Sequence, residues 1–240
     1  MRLQVLASDY DDTLARRGQV DELALDRIRA AREAGVSVVL VTGRRLPELL
    51  EVFAELNEVD FVVAENGGYA YSPKEGRGWL LAPALDQTLV DQLRACGVDP
   101  LYVGEAIVST VDPWLDVVLK VIAEHCAGYS LIRNRESLML LPHGIDKGSG
   151  LTAALTALGV PAEASVAVGD AENDITLLAA AGRGIAVGDA VLELKAQADL
   201  VTIAPGPQGV VELIDLLAAA DWELDALAQP LDRLGEPRAS

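Results

Sequence analysis

The chain has 240 residues and a formal net charge of −18 at pH 7, with 37 acidic and 19 basic residues. So large an excess of negative charge argues against nucleic acid as a partner, because its phosphates would be repelled. The longest apolar runs are too short for a membrane span, and we expect no signal peptide before the first predicted strand. Because the chain has two cysteines without metal-ligand spacing, we expect reduced thiols and a cytoplasmic location.

The first part of the chain alternates between short apolar runs and amphipathic segments, which is typical of strands and helices in turn. The predicted order is strand, helix, strand, helix, strand, over about 3–8, 21–34, 36–41, 46–56 and 60–64. The first helix begins in an acidic turn at Asp21 and ends at Gly35, as helix start and stop signals predict. Strands that alternate with helices form a parallel sheet through right-handed crossovers.

The pattern changes between residues 72 and 144. The predicted order there is helix, strand, strand, repeated once, over about 86–95, 100–104, 106–110, 113–126, 129–133 and 137–141. Two such units predict a small antiparallel sheet with two helices on one face. We therefore expect an inserted α+β domain over 72–144.

The strand–helix alternation resumes after the insert. The predicted elements lie over about 148–158, 164–168, 174–181, 183–187, 190–196, 199–203 and 208–219. The predicted fold class is therefore α/β, with a doubly wound, Rossmann-like parallel sheet formed by residues 1–71 and 145–220. The tail, 221–240, is predicted to dock as a short helix around Trp222 and to fray from Gly235 to Ser240.

Two acids follow the first predicted strand. Asp9 and Asp11 are two residues apart, so both side chains leave the strand end on the same side. Two carboxylates held that close repel each other, and a cation between them relieves the repulsion. Magnesium is the expected ion, because it prefers carboxylate and water oxygens and accompanies phosphate chemistry. An acidic β-turn without function is the alternative interpretation of this segment.

A second strand, 164–168, also ends in acids. Asp170, Asn173 and Asp174 follow it at the start of the next helix, and acids suit that position. Asp170 and Asp174 are four residues apart, so that both can face one point on a helical turn. Helix capping alone would explain Asp174, but it does not explain why two strands end in the same way.

Two further segments carry groups that suit a phosphoryl oxygen. Thr42, Gly43 and Arg44 follow the strand 36–41 and combine a hydroxyl, a backbone amide and a cation. Lys147 lies just before the helix 148–158, so its ammonium and the helix N-terminus can serve the same anion. Parallel α/β sheets bind ligands at the carboxyl ends of their strands, which is where the four segments fall.

With these four segments the chain resembles the haloacid dehalogenase superfamily, and within it the phosphatases with a type-IIB α/β cap, over about residues 1–220. The short insert is similar in size to the caps of archaeal-type phosphoglycolate phosphatases and sucrose-phosphate phosphatases. The segment Glu65-Asn66-Gly67-Gly68 resembles one that is common in this subgroup. The chain departs from the family at Asp12, where glycine is usual.

The resemblance implies a role for each matching residue. The nucleophile is Asp9, and the general acid and base is Asp11. The expected phosphate-binding residues are Thr42, Gly43 and Lys147. The expected Mg²⁺ ligands are Asp9, Asp170 and the carbonyl of Asp11, with Asn173 and Asp174 orienting them. The candidates on the substrate side are Arg44 and Asn66.

The activity implied is magnesium-dependent hydrolysis of a small-molecule phosphate ester, a sugar phosphate or a phosphoglycolate-like acid, through an aspartyl-phosphate intermediate. A phosphomannomutase-like phosphotransferase shares the motifs and the cap, but it needs cap cations for a second phosphate. The candidates for that task are Arg94, Arg133 and Arg135. A catalytically silent binding protein is disfavoured, because every ionisable group that the mechanism needs is present. A monomer and a homodimer both stay open.

Overall fold

The computed structural model describes residues 1–228, and the predicted frayed end from Gly235 to Ser240 lies outside the described residues. The strands are β1 (Val5–Asp9), β2 (Ser37–Val41), β3 (Phe61–Ala64), β4 (Tyr69–Ser72), β5 (Arg77–Leu80), β6 (Tyr102–Val103), β7 (Val108–Val111), β8 (Tyr129–Asn134), β9 (Ser137–Pro142), β10 (Ser165–Gly169), β11 (Arg183–Ala186) and β12 (Leu200–Val201). The helices are α1 (Glu22–Glu33), α2 (Leu46–Val52), α3 (Gln87–Ala95), α4 (Leu115–His125), α5 (Lys147–Leu158), α6 (Ile175–Ala180), α7 (Leu192–Lys195) and α8 (Gly206–Ala219).

A central parallel sheet organises the larger part of the chain, which confirms the predicted α/β class. Its strand order is β12-β11-β10-β1-β2-β3-β4-β5, and the six strands from β12 to β3 run parallel. Every residue of β1 is buried, since helices cover both faces of the sheet. The pairing of Asp9 with Val41 and of Ser8 with Val168 aligns the carboxyl ends of β2, β1 and β10. Residues that follow these three strands therefore meet at one edge.

The sequence did not predict the hairpin β4–β5. Its strands are short and only partly buried, and they are joined by a polar turn, so they show little of the apolar alternation that marks a strand. The hairpin extends the large sheet antiparallel to β3. The predicted start of the insert at residue 72 is therefore wrong, because β5 still belongs to the large sheet.

The insert contains a four-stranded antiparallel sheet of order β6-β7-β9-β8, as the sequence predicted. Helices α3 and α4 cover one face, where Leu89, Val118 and Leu138 belong to one apolar cluster. The alternation of side chains along β9 places Met139 and Leu141 in a separate cluster, on the face without helices.

The start of the tail docks as predicted. A 3-10 turn over Leu224–Ala228 follows α8, and Trp222, Leu224 and Leu227 are buried in the main apolar core. In the part of the chain that the structure describes, no helix is long and apolar enough to cross a membrane.

Candidate active site

Four chain segments meet at the carboxyl edge of the large sheet. Asp9 is the last residue of β1, Thr42 follows β2, and Asp170 follows β10. Lys147 is the first residue of α5 and points its ammonium at the same edge. All four side chains are buried, with at most 5% of each residue exposed. The structure thus brings together residues that lie up to 161 positions apart.

Lys147 connects two of the acids. Its Nζ donates to Oδ1 of Asp9 over 2.6 Å and to Oδ1 of Asp174 over 2.5 Å. Burial lowers the pKa of Lys147, but the charges of Asp174 and Asp9 more than offset it, so that the pKa lies above its usual value. The ammonium therefore stays charged. Asp146 caps the helix that carries it, since its carboxylate accepts from the backbone N–H of Ser149 over 2.8 Å.

Close backbone packing places this helix. Gly67 has a φ of +107°, and a Cβ on it would stand 1.9 Å from the carbonyl oxygen of Asp146. Only glycine combines that backbone conformation with that approach. The segment Glu65–Gly67, which follows β3, can therefore lie directly against the start of α5.

The carboxylate of Asp174 binds groups of the protein inside the site and does not face the cleft. Its Oδ2 accepts from the backbone N–H groups of Asp170 and Ala171, each over 3.0 Å, while Oδ1 accepts from Lys147. The residue is fully buried. Because three donors already engage its carboxylate, Asp174 orients Lys147 and the loop that carries Asp170.

Asp174 and the two acids at the strand ends together form a cluster that suits a divalent cation. Asp9, Asp170 and Asp174 each have a carboxylate oxygen within 4.8 Å of the others. Burial raises the pKa of Asp9 well above its usual value, although Lys147 opposes the shift. Burial and the charge of Asp174 likewise raise the pKa of Asp170, to about 6. Neighbouring carboxylates add to both shifts, a cation would relieve their repulsion, and carboxylate oxygens are ligands that Mg²⁺ prefers.

Asp11 lies beside this cluster, but its side chain points towards Arg44. Its carboxylate receives two hydrogen bonds of 2.7 Å from Nε and Nη2 of Arg44. The backbone N–H of Arg44 donates to the hydroxyl of Thr42 over 3.1 Å. Arg44 was predicted on the substrate side, and the structure places its guanidinium on Asp11. Sequence reasoning missed this pair because it joins loops that are 33 residues apart.

Asn66 and Asn173 lie beneath the site. Both are buried, and Nδ2 of Asn173 donates to Oδ1 of Asn66 over 3.0 Å. The Nδ2 of Asn66 and the Oδ1 of Asn173 have no hydrogen-bond partner among residues 1–228. A Cβ on Gly43 would stand 4.0 Å from Oδ1 of Asn66, so the amide lies next to the predicted phosphate loop. Asn66 thus lies beside Gly43 and carries one buried donor without a partner among the described residues.

Glu65 is a residue whose contacts the sequence did not reveal. It is 2% exposed, and its carboxylate accepts from the backbone N–H groups of Glu105, Ala106 and Ile107 over 3.0, 2.7 and 3.2 Å. These three residues lie in the insert, just before β7. Glu65 therefore ties the large sheet to the insert. The resemblance marked the segment that contains Glu65, but a single sequence gives no sign of a partner 40 residues away.

A cleft of about 280 Å³ lies between the edge of the large sheet and the insert. The large-sheet side contributes Asp9, Asp11, Gly43, Arg44, Glu48 and Lys147. The insert contributes Tyr102, Ser109, Asn134, Ser137 and Met139. The predicted nucleophile and the predicted acid thus line the same cleft, whose volume suits a small molecule.

Known proteins are similar to this chain in sequence. The sequence profile of the haloacid dehalogenase-like hydrolases matches residues 6–96 and 107–214. A phosphoglycolate phosphatase of Aeropyrum pernix is 32% identical over 222 residues, which cover 88% of this chain and 92% of that protein. A phosphoglycolate phosphatase of Natronomonas pharaonis is 30% identical over 224 residues, which cover 88% of this chain and 96% of that protein.

Solved structures agree as well. A haloacid dehalogenase-like hydrolase from Bacteroides thetaiotaomicron superposes with a TM-score of 0.77 at 22% identity, over 89% of this chain and 99% of that one. A sugar phosphatase of haloacid dehalogenase subclass IIB superposes with a TM-score of 0.74 at 19% identity, over 90% of this chain and 99% of that one. The chain therefore belongs to the haloacid dehalogenase-like hydrolase family and is a phosphatase.

Proposed function

We propose that this phosphatase depends on magnesium and hydrolyses a small phosphorylated metabolite through an aspartyl-phosphate formed on Asp9. The observation that carries the proposal is the position of Asp9. Its carboxylate stands at the end of β1 and lines the cleft, with one oxygen bound by the charged Lys147. Because Lys147 binds Oδ1 of Asp9, the other carboxylate oxygen remains available to attack a substrate in the cleft.

Covalent catalysis divides a difficult hydrolysis into two easier steps. In the first, an oxygen of Asp9 bonds to phosphorus and the ester bond breaks, while Asp11 gives a proton to the leaving alcohol. In the second, Asp11 takes a proton from water, whose oxygen attacks phosphorus and releases phosphate from Asp9. Thr42, the backbone N–H of Gly43 and Lys147 hold the phosphoryl oxygens through both steps.

Arg44 gives Asp11 a defined orientation in this scheme. The two hydrogen bonds of 2.7 Å hold both carboxylate oxygens of Asp11, and this carboxylate is the base of the second step. The acid form requires a proton on one oxygen, so Asp11 must give up one of the two bonds. Arg44 thus acts through Asp11, as a positioning residue at the edge of the cleft.

The acid cluster supplies the ligands for the metal in this proposal. Asp9, Asp170 and the carbonyl of Asp11 would hold Mg²⁺, and the bound ion would neutralise charge on the phosphoryl oxygens. Asn173 and Asp174 fix the loop from which Asp170 projects, since Asp174 accepts from the backbone N–H of Asp170.

The arrangement of the cap arginines favours hydrolysis over mutase-type phosphoryl transfer, because a mutase must also bind a second phosphate of its substrate with cap cations. Arg94 lies 3.9 Å from Asp91, and Arg133 lies 2.5 Å from Asp112, so both contact acids of the insert. Arg135 contacts Asp170. None of the three lines the cleft, so a second phosphate would meet no cap cation there.

The substrates to test follow from the relatives. Two relatives are named phosphoglycolate phosphatase and a structural neighbour is described as a sugar phosphatase. We therefore expect phosphate release from phosphoglycolate or from a hexose 6-phosphate, and none in excess chelator.

Asp9→Asn keeps the shape of the side chain and removes the attacking charge. Turnover should fall by a factor of about 10³ or more, whereas near-normal release by that variant would refute the proposal.

A further inference from the structure

The turn between β8 and β9 reaches from the insert to the acid cluster. Arg135 lies in this turn and donates to Oδ2 of Asp170 over 2.9 Å, and its other Nη donates to Asp12. The side chain of Arg135 is 57% exposed, whereas that of Asp170 is 6% exposed. Arg135 is thus a cation from the insert that contacts a predicted metal ligand, Asp170, and also Asp12 in the loop after β1.

Asp12 gives this contact a second attachment point. Its φ is +60°, in the left-handed region that favours glycine and tolerates aspartate and asparagine. Glycine, which is usual here in the family that the chain resembles, would satisfy the backbone without a side chain. The backbone at this position therefore does not require the carboxylate of Asp12. That carboxylate forms an ion pair with Arg135.

Arg135 occupies an oxygen that a metal would need. Oδ1 of Asp170 already accepts from the hydroxyl of Thr13 over 3.0 Å, and Oδ2 is the oxygen that Arg135 holds. A divalent cation bound by Asp170 would be a second cationic group at this carboxylate, besides the guanidinium of Arg135. The cation and the guanidinium therefore compete for Asp170, while the bond from Arg135 to Asp12 does not involve a predicted metal ligand.

We propose that Arg135 is a positioning residue that couples the closure of the insert to occupancy of the metal site. Without metal it holds Asp170 and Asp12 and keeps the turn on the large sheet. When Mg²⁺ binds, Arg135 gives up Asp170 and keeps Asp12. The inference rests on the proposed function only in assigning the metal to Asp170. The coupling is reciprocal: the contact weakens Mg²⁺ binding by the same factor by which Mg²⁺ weakens the contact.

Arg133 provides a matched control two residues earlier in the same hairpin. Its side chain is 51% exposed, close to the value for Arg135, and it pairs with Asp112 within the insert. Arg133→Ala thus removes the same charge from the insert without breaking a contact to the large sheet. A general effect of net charge on Mg²⁺ binding would appear in both variants.

The test measures Mg²⁺ binding by titration calorimetry on the full chain without substrate. We expect Arg135→Ala to bind Mg²⁺ about 3- to 10-fold more tightly than the wild type, because it removes a competing cation. Arg133→Ala should keep the wild-type Kd. The inference would be overturned if Arg135→Ala and the wild type had equal Kd values for Mg²⁺. It would also be overturned if Arg135→Ala and Arg133→Ala changed the Kd equally.

Hydrogen exchange of the turn 134–137 gives a second readout that needs no turnover. Arg135→Ala should accelerate exchange in the metal-free protein, and Mg²⁺ should accelerate it in the wild type. Asp12→Gly suits the backbone at φ +60° and should also accelerate exchange, yet add nothing to Arg135→Ala. Additive effects of the two substitutions contradict the inference.

A wild type that binds Mg²⁺ but releases no phosphate would refute the proposed function and leave this test standing, whereas a wild type that binds no Mg²⁺ overturns both.

Discussion

The buried ammonium of Lys147 should be needed for stability as well as for catalysis. Lys147→Met keeps the length of the side chain and removes the charge between Asp9 and Asp174. Two charge-assisted hydrogen bonds of 2.6 and 2.5 Å are lost, each contributing about 1.5–3 kcal/mol. Asp9 recovers part of this by taking up a proton, since burial already raises its pKa well above its usual value. We therefore expect a loss of about 3 kcal/mol in the free energy of unfolding.

Urea unfolding at pH 8 in excess chelator measures this loss. Mg²⁺ should restore part of it, because the ion replaces positive charge at the same carboxylates. Lys120→Met is the matched control on the exposed surface of α4, and its effect should stay within about 0.5 kcal/mol. A Lys147→Met protein as stable as the wild type at pH 8 without metal would refute this view of the charge balance.

Three further predictions concern single groups. Asp11→Asn should reduce turnover of an alkyl phosphate about 10-fold more than that of p-nitrophenyl phosphate, whose leaving group needs no proton; equal losses would contradict the acid role. The pKa of Asp170 is raised to about 6, so protons compete with metal below that pH. The apparent affinity for Mg²⁺ should therefore fall as the pH drops from 7 to 5, and a pH-independent Kd would contradict this. Glu65→Gln should cost about 1–3 kcal/mol of unfolding free energy, because one acceptor faces three backbone donors, whereas Glu105→Gln should cost little.

The sequence predicted the strand ends well because local signals define them. The apolar residues Val5–Ala7 and Val166–Val168 end within two residues of Asp9 and Asp170, so the switch from buried strand to polar loop is sharp. The β4–β5 hairpin lacks such a signal. It lies at the edge of the sheet, where one side faces solvent and the apolar pattern is weak.

The pairings within the site could not be predicted in the same way. Arg44 was recognised as a cation near the phosphate loop, but its contact with Asp11 depends on how two loops fold over neighbouring strands. The contact of Arg135 with Asp170 depends in addition on the position of the insert. Residue types and spacing identify which groups gather at a sheet edge, whereas hydrogen-bond partners follow from the tertiary structure.

The central claim is that Asp9 becomes phosphorylated. The direct measurement is acid quenching of Asp11→Asn during turnover of p-nitrophenyl phosphate, followed by mass spectrometry of the peptide that contains Asp9. That variant keeps the nucleophile and lacks the base that activates water, so the intermediate should accumulate. We predict phosphate on Asp9 and none on this peptide in Asp9→Asn. Phosphate on another residue, or turnover by Asp11→Asn with no phosphorylated peptide, would contradict the account.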